Sequence, residues 1–340
     1  MKKRITAALA AALLLCSCGA ADSSASADEK HSTSVFAMDT YMTLTAYGGD
    51  AEAALTAASE AITDLESRIS VTAEGSEIYA LDHAGSAELS EETRELVQFG
   101  LDMNARTGGA LDITLYPVTS AWGFTKEEHR VPSDSELLEL LALTGPDKLS
   151  LEGNTATLKE GSMIDLGAIG KGYAGDLAVK ALKDRGVTSA ILDLGGNIQT
   201  LGTKPDGSKW SIGIRDPFEG GLFGTLSVGE AAVVTSGAYE RFFEQDGVLY
   251  WHILDPEDGR PADSGVASST IVGSEGRLCD ALSTAVFVMG HDRAFDLWRR
   301  SGDFEYIIVT NERQVFVSEG LADAFEPDAA YAESVTVDRR

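Results

Sequence analysis

Apolar residues recur along this chain at two spacings, and the switches between them outline its elements. From Ala51 to Glu66, Leu55, Ala58, Ile62 and Leu65 fall at helical spacing. Glu91 to Thr107 repeats that amphipathic pattern and is stopped by Gly108-Gly109. Ser133 to Leu143 predicts a shorter helix, with Ser133 as N-cap and Glu136 completing a capping box. Further helices are expected from about Lys171 to Arg185 and from Asp280 to Met289, extended by Arg293 to Arg300. Period-two or short apolar runs predict strands at Val35–Tyr47, Ala190–Leu194, Trp210–Arg215, Gly224–Val228, Ala232–Thr235, Leu249–Leu254 and Val266–Val272. Lys148–Lys159 reads as a hairpin turning at Gly153-Asn154, and 306–317 as another around Asn311-Glu312. Helices and strands do not alternate strictly, so the expected class is α+β. No 20–50-residue repeat is visible.

The first residues depart from this pattern. Lys2, Lys3 and Arg4 precede an apolar run from Ile5 to Leu15, the layout of an export signal and too short for a membrane span. Leu15-Cys16-Ser17-Cys18 resembles a bacterial lipobox. Cys18, behind the small Ser17, is the expected lipidation site, whereas bulky Leu15 would sit at the cleavage position of Cys16. The alternative is a plain secreted chain. Residues 19–34 are small and polar and read as a tether. The expected organisation is therefore a signal over 1–17, a lipid-anchored tether over 18–34 and one catalytic domain over 35–340. It corresponds to a protein on the outer face of the bacterial cytoplasmic membrane.

Composition narrows the function classes. The apolar fraction of 44% supports a packed core. The formal charge of −27 opposes phosphate backbones, so nucleic-acid binding is not expected. Docking on anionic lipid is equally disfavoured, which leaves the lipid anchor as the membrane link. With Cys16 cleaved and Cys18 acylated, Cys279 is the one remaining thiol and no intrachain disulfide is possible.

Candidate chemistry clusters in five segments. In Asp165-Leu-Gly-Ala-Ile-Gly-Lys-Gly-Tyr-Ala-Gly-Asp176, a strand is expected to turn on glycines into a helix. Free N–H groups and Lys171 there suit a phosphate, though a merely tight turn fits equally. The spacing is neither that of a P-loop nor that of a dinucleotide fingerprint. Asp280, Ser283 and Thr284 stand at i, i+3 and i+4, so three oxygen groups share a helix face. That suits a hard cation such as Mg²⁺, and equally an ordinary helix cap. His252 lies where a strand enters the turn of HILDPEDG. Thr235-Ser-Gly-Ala-Tyr-Glu-Arg241, and Gly109-Ala-Leu-Asp112 with Trp122-Gly-Phe124, read locally as turn and core chemistry.

Taken in order, MDT at 38–40, GALDIT at 109–114, WGF at 122–124, DLGAIGKGYAGD at 165–176, LGGN at 194–197, TSGAYERFF at 235–243, HILDPEDGRP at 252–261 and DALSTAVFVMG at 280–290 resemble the ApbE family, the FAD:protein FMN transferases. The resemblance runs from about Val35 to Val317. It implies an ApbE-like, T-fold-related arrangement of antiparallel sheets with packed helices. It also implies transfer of FMN from FAD to a Ser or Thr hydroxyl, with AMP released. By the same resemblance, Met38 would contact the flavin end, and Ala110, Leu111 and Asp112 the adenosine side, continued by Asp165 and Lys171. His252 and Ile253 would border the FAD. Mg²⁺, or Mn²⁺ in its place, would be held by the Ala168 carbonyl, Asp280 and Thr284, with Ser283 beside them. Asp280 and His252 would carry the catalysis. The implied acceptor is a redox flavoprotein with an S/T-G-A-T/S-like motif. Many relatives carry an aromatic residue about four places before the Ser-Glu pair. Here that position falls near Thr72, which implies a flavin held less tightly. The rival readings are a Mg²⁺-dependent FAD pyrophosphatase and a non-catalytic FAD-binding lipoprotein.

Overall fold

The computed structural model describes residues 29–126 and 128–340. The export signal, Cys18 and most of the expected tether lie outside the described residues. Order begins earlier than the hydropathy suggests. β1 (Lys30–Ala37) and β2 (Thr40–Tyr47) form an antiparallel hairpin, with Lys30 opposite Tyr47, so five residues assigned to the tether are strand. The single strand expected over 35–47 is broken by a two-residue turn. Met38 and Asp39 both have positive φ, 50° and 58°, as a tight hairpin turn requires.

α1 (Ala51–Ile69) turns Leu55, Ile62 and Leu65 into the core, each worth roughly 1.5–3 kcal/mol of burial. α2 (Glu77–Ala84), which the sequence pattern missed, is capped by Ser76 and closed by the left-handed Gly85. β3 (Ser86–Glu88) and α3 (Glu91–Thr107) follow, then α4 (Tyr116–Trp122) and α5 (Asp134–Leu141). Ser133 caps α5 by accepting the Glu136 N–H. The other half of the expected box is not made, because Glu136 pairs with Arg130. β4 (Leu149–Glu152) and β5 (Thr155–Leu158) form the expected hairpin, on which β3 pairs as a third strand.

Beyond α6 (Gly167–Asp184) come β6 (Ala190–Asp193), β7 (Asn197–Leu201), β8 (Trp210–Arg215), β9 (Leu222–Val228) and β10 (Ala231–Gly237). The chain continues with β11 (Phe242–Gln245), β12 (Val248–Trp251), β13 (Val266–Gly273) and α7 (Gly276–Arg300). It ends with β14 (Phe304–Thr310), β15 (Val315–Ser318), β16 (Phe325–Pro327) and β17 (Val335–Asp338).

Nine strands join in the order β1-β2-β6-β7-β10-β13-β14-β15-β17. Every pair is antiparallel except β15–β17. The class is α+β, as expected. One face of the sheet is covered by α1, α6 and α7, which share a core with Leu44, Leu192 and Ile271. On the other, Ile212, Phe223 and Leu226 of the small sheet β16-β9-β8 meet Val233, Val272 and Val309. β13, near the middle, is therefore buried along almost its whole length, and its polar Ser268, Ser269 and Thr270 must find partners inside. Thr270 bonds Thr235 at 2.8 Å, and Ser269 donates to the Ser283 carbonyl at 2.6 Å. A third cluster around Trp122, Val118, Leu137 and Leu254 packs α4 and α5 beside the turn after β12. Among the described residues no helix is long and apolar enough to cross a membrane.

Candidate active site

The glycine-rich segment does not form the expected turn. Gly167, Gly170, Gly172 and Gly175 all lie inside α6. The reason is close approach rather than chain reversal. A Cβ on Gly172 would overlap the Gly276 carbonyl and the Asp280 side chain, and one on Gly276 would strike Gln199 and the Gly172 carbonyl. The two helices therefore cross almost backbone to backbone. Gln199 stitches the crossing by donating to the Gly172 carbonyl at 2.9 Å, and Asp176 accepts the first N–H groups of α7 from Gly276 and Arg277.

α7 begins at Gly276, one turn before Asp280, so Asp280 is an interior helix residue and not a cap. Its carboxylate accepts the Gly172 N–H at 2.8 Å and the Asn197 amide at 3.0 Å. Burial raises its pKa; the Lys171 charge, the Gly172 N–H and Asn197 act in the opposite sense.

These groups open into one cavity of about 770 Å³, a size that suits a small-molecule site. Met38, Ala110, Leu111, Asp112, Asp165, Ala168, Lys171, His252, Ile253, Asp280 and Thr284 all line it. Ser283 does not. Its hydroxyl is fully buried, donates to the Asp280 carbonyl and meets Ser236 at 2.8 Å, so it braces the helix and is removed from the candidate metal ligands. Thr72 is in the wall, exposed on the loop after α1.

Each wall residue is held by its element. The Met38 N–H donates to Glu66 of α1 at 2.6 Å, fixing the hairpin tip over the cavity. Asn104 donates to the Leu111 carbonyl, and Thr107 accepts the Leu111 N–H. Asp112 accepts both the N–H and the hydroxyl of Thr114; burial nevertheless raises its pKa. The Asp165 N–H bonds the Ile113 carbonyl at 2.7 Å, which lays the two segments side by side. Its carboxylate accepts the Gly167 N–H at the start of α6. Asp165 is half-buried and lines the cavity, and burial raises its pKa against the pull of that N–H and of Arg241.

His252 is set by the backbone of Arg241, whose carbonyl receives its N–H at 3.0 Å and its Nδ1 at 3.2 Å. A carbonyl only accepts, so Nδ1 carries the proton and Nε2 is an acceptor. Burial, Lys171 and Arg241 lower its pKa to about 4, so the ring is neutral at pH 7.

The donor set fits a hard cation. Asp280, Thr284 and Ala168, which offer a carboxylate, a hydroxyl and a backbone carbonyl, line the same cavity. Mg²⁺ commonly takes one or two carboxylates, with water and substrate phosphate completing its shell. Among the described residues no three His, Cys, Asp or Glu side chains converge as an all-protein metal cage. Sequence reasoning left Glu66, Asn197, Ser236, Glu240 and Arg241 without roles, although all but Glu66 lie in or beside motifs it singled out.

Residues 38–308 match the ApbE family model. The chain is 31% identical over 310 residues to the FAD:protein FMN transferase of Klebsiella pneumoniae, covering 88% of this chain and 96% of that protein. It is 34% identical over 276 residues to the FAD:protein FMN transferase of Treponema pallidum, covering 75% and 76%. Its fold is similar to the crystal structure of the ApbE protein from Thermotoga maritima, with TM-score 0.81 and 32% identity over 86% of this chain and 98% of that one. It is also similar to the flavin transferase ApbE from Vibrio cholerae, with TM-score 0.76 and 27% identity over 90% and 99%.

Proposed function

The chain belongs to the ApbE family, and on that premise we propose that it is an FAD:protein FMN transferase, moving FMN from FAD to a Ser or Thr hydroxyl of an acceptor flavoprotein. The observation that carries the reading is convergence. Side chains from eight separate motifs, 38–40 through 280–290, meet around one cavity, with a buried carboxylate and a lysine at one wall.

The reaction forms a bond from the acceptor oxygen to the FMN phosphorus and breaks the pyrophosphate, with AMP leaving. Lys171 offsets charge that builds on the phosphoryl oxygens. His252 is neutral, held in one tautomer, and presents Nε2 as the group to receive the hydroxyl proton. Asp112 and Asp165, on adjoining segments, orient the adenosine half. Asp280, Thr284 and the Ala168 carbonyl would hold Mg²⁺, which when bound supplies Lewis-acid stabilisation of phosphoryl charge. Export and anchoring through Cys18 belong to the same proposal. They are supported by the cationic start, the apolar run and the lipobox-like Leu15-Cys16-Ser17-Cys18.

The test is incubation with FAD, Mg²⁺ and an acceptor carrying an S/T-G-A-T/S-like motif. AMP release and an FMN adduct on the acceptor, both lost on chelation and in Asp280→Ala, are expected. AMP with free FMN and no adduct would instead favour hydrolysis, the second reading raised by Thr72 standing in the cavity wall. Absence of AMP would refute both.

A further inference from the structure

The TSGAYER segment leaves a guanidinium in the cavity wall that the reaction as described does not use. Arg241 lies between β10 and β11, and its side chain is exposed and lines the cavity. Its backbone carbonyl receives both hydrogen bonds that orient His252, which ties the Arg241 backbone to that ring. Among the described residues its guanidinium makes no ion pair or hydrogen bond. The chain has twice as many acidic as basic side chains, 54 against 27. Carboxylates are therefore plentiful, and Arg68, Arg106 and Arg313 have found theirs. An unpaired arginine facing a cavity is poised for an anion from outside.

Its place along the cavity is also defined. The charge of Lys171 bears on Asp280 and His252, whereas that of Arg241 bears on Asp165 and His252. Both cations thus act on His252 from the wall of the same cavity, Lys171 acting also on Asp280 and Arg241 on Asp165. In the transferase reading, on which this inference rests, the Asp165 side receives the adenosine half of FAD and the Asp280 side the metal.

We propose that Arg241 is a catalytic residue that grips the adenosine-side phosphate of FAD and stabilises it as it departs with AMP. In the transfer step the acceptor oxygen bonds the FMN phosphorus and the P–O bond of the pyrophosphate breaks. The bridging oxygen and its electron pair leave on AMP, and the hydroxyl proton passes to the base. The leaving phosphate therefore gains negative charge in the transition state. A planar guanidinium offers two parallel N–H donors to such a group, which an ammonium does not.

The test titrates the purified protein, Arg241→Gln and Arg241→Lys with FAD, AMP, FMN and adenosine in Mg²⁺, alongside thermal melts. Arg241→Gln removes a charge-assisted hydrogen bond to the phosphate and should weaken AMP and FAD binding roughly 10- to 100-fold. Adenosine and FMN, which lack the phosphate in question, should bind as before, and Arg241→Lys should recover part of the AMP affinity. Unchanged AMP affinity in Arg241→Gln overturns the inference, as does an equal weakening for AMP and adenosine, which would mark a structural role. If the unmutated protein binds neither FAD nor AMP, the transferase reading itself falls and takes this inference with it.

Discussion

Asp82 offers a sharp test of the electrostatics beneath the site. It lies on α2, where one carboxylate oxygen accepts the Ile164 N–H at 2.9 Å and the other is buried with no partner among the described residues. Burial, with the Asp165 charge adding to it and the Ile164 N–H opposing, raises its pKa from 3.8 to about 7. A carboxyl that holds its proton more tightly folded than unfolded makes the folded state bind more protons. Its penalty is therefore absent below about pH 4, grows through the interval, and is complete above about pH 7. A shift of that size corresponds to about 4 kcal/mol at most. Partial exposure and relaxation reduce it to roughly half.

Asp82→Asn removes the charge and keeps an oxygen for Ile164. Its buried amide N–H₂ costs about 1–3 kcal/mol if it stays unpaired, but that cost does not depend on pH. The informative quantity is therefore the difference between the stability change at pH 8 and that at pH 4, measured by urea unfolding of both proteins. The variant should gain about 2 kcal/mol more at pH 8 than at pH 4. Equal changes at the two pH values would refute the account of a strained, charged Asp82.

Two further predictions concern the reaction centre. Gly172→Ala should separate α6 from α7 at their crossing, costing about 2 kcal/mol or more in thermal or chemical unfolding and lowering AMP release; an active variant of unchanged stability would contradict the close-crossing account. Because His252 loses its proton near pH 4 and not near 6.5, the acid limb of the kcat/KM profile for transfer should lie near pH 4, with a plateau above about pH 5. A limb centred near 6.5 that disappears in His252→Ala would show that the ring is not desolvated as described.

Much of the architecture was legible because local patterning and tertiary burial agree. α3 and the β4–β5 hairpin fall where periodicity and glycine punctuation place them. The misses share a cause, which is that local pattern was too short or too polar to register. α2 and α4 span only 8 and 7 residues, too few for an apolar repeat to recur, and lack the Ser-x-x-Glu signature that marks the equally short α5. The MDT turn has no glycine to mark it, yet Met38 and Asp39 take positive φ because the hairpin demands it. Residues 30–34 are polar because β1 is an edge strand with one face in solvent, and polarity alone reads as tether.

By itself the sequence determined the helix and strand periods, the acid excess, and the order of motifs that assigns the chain to its family. Those properties are local or additive along the chain. Only the tertiary structure decided what each motif does. Gly172 could serve a turn or a close approach, and the choice rests on Gly276, about a hundred residues away, needing the same space. Asp280, Ser283 and Thr284 share a helix face in any helix, but the depth of β10 and β13 directs the Ser283 hydroxyl inward and leaves Asp280 and Thr284 to the cavity. Arg241 and His252 likewise become neighbours of Asp165 and Asp280 only when the sheet closes over the two crossed helices. Packing geometry, which couples residues far apart in sequence, settled those roles.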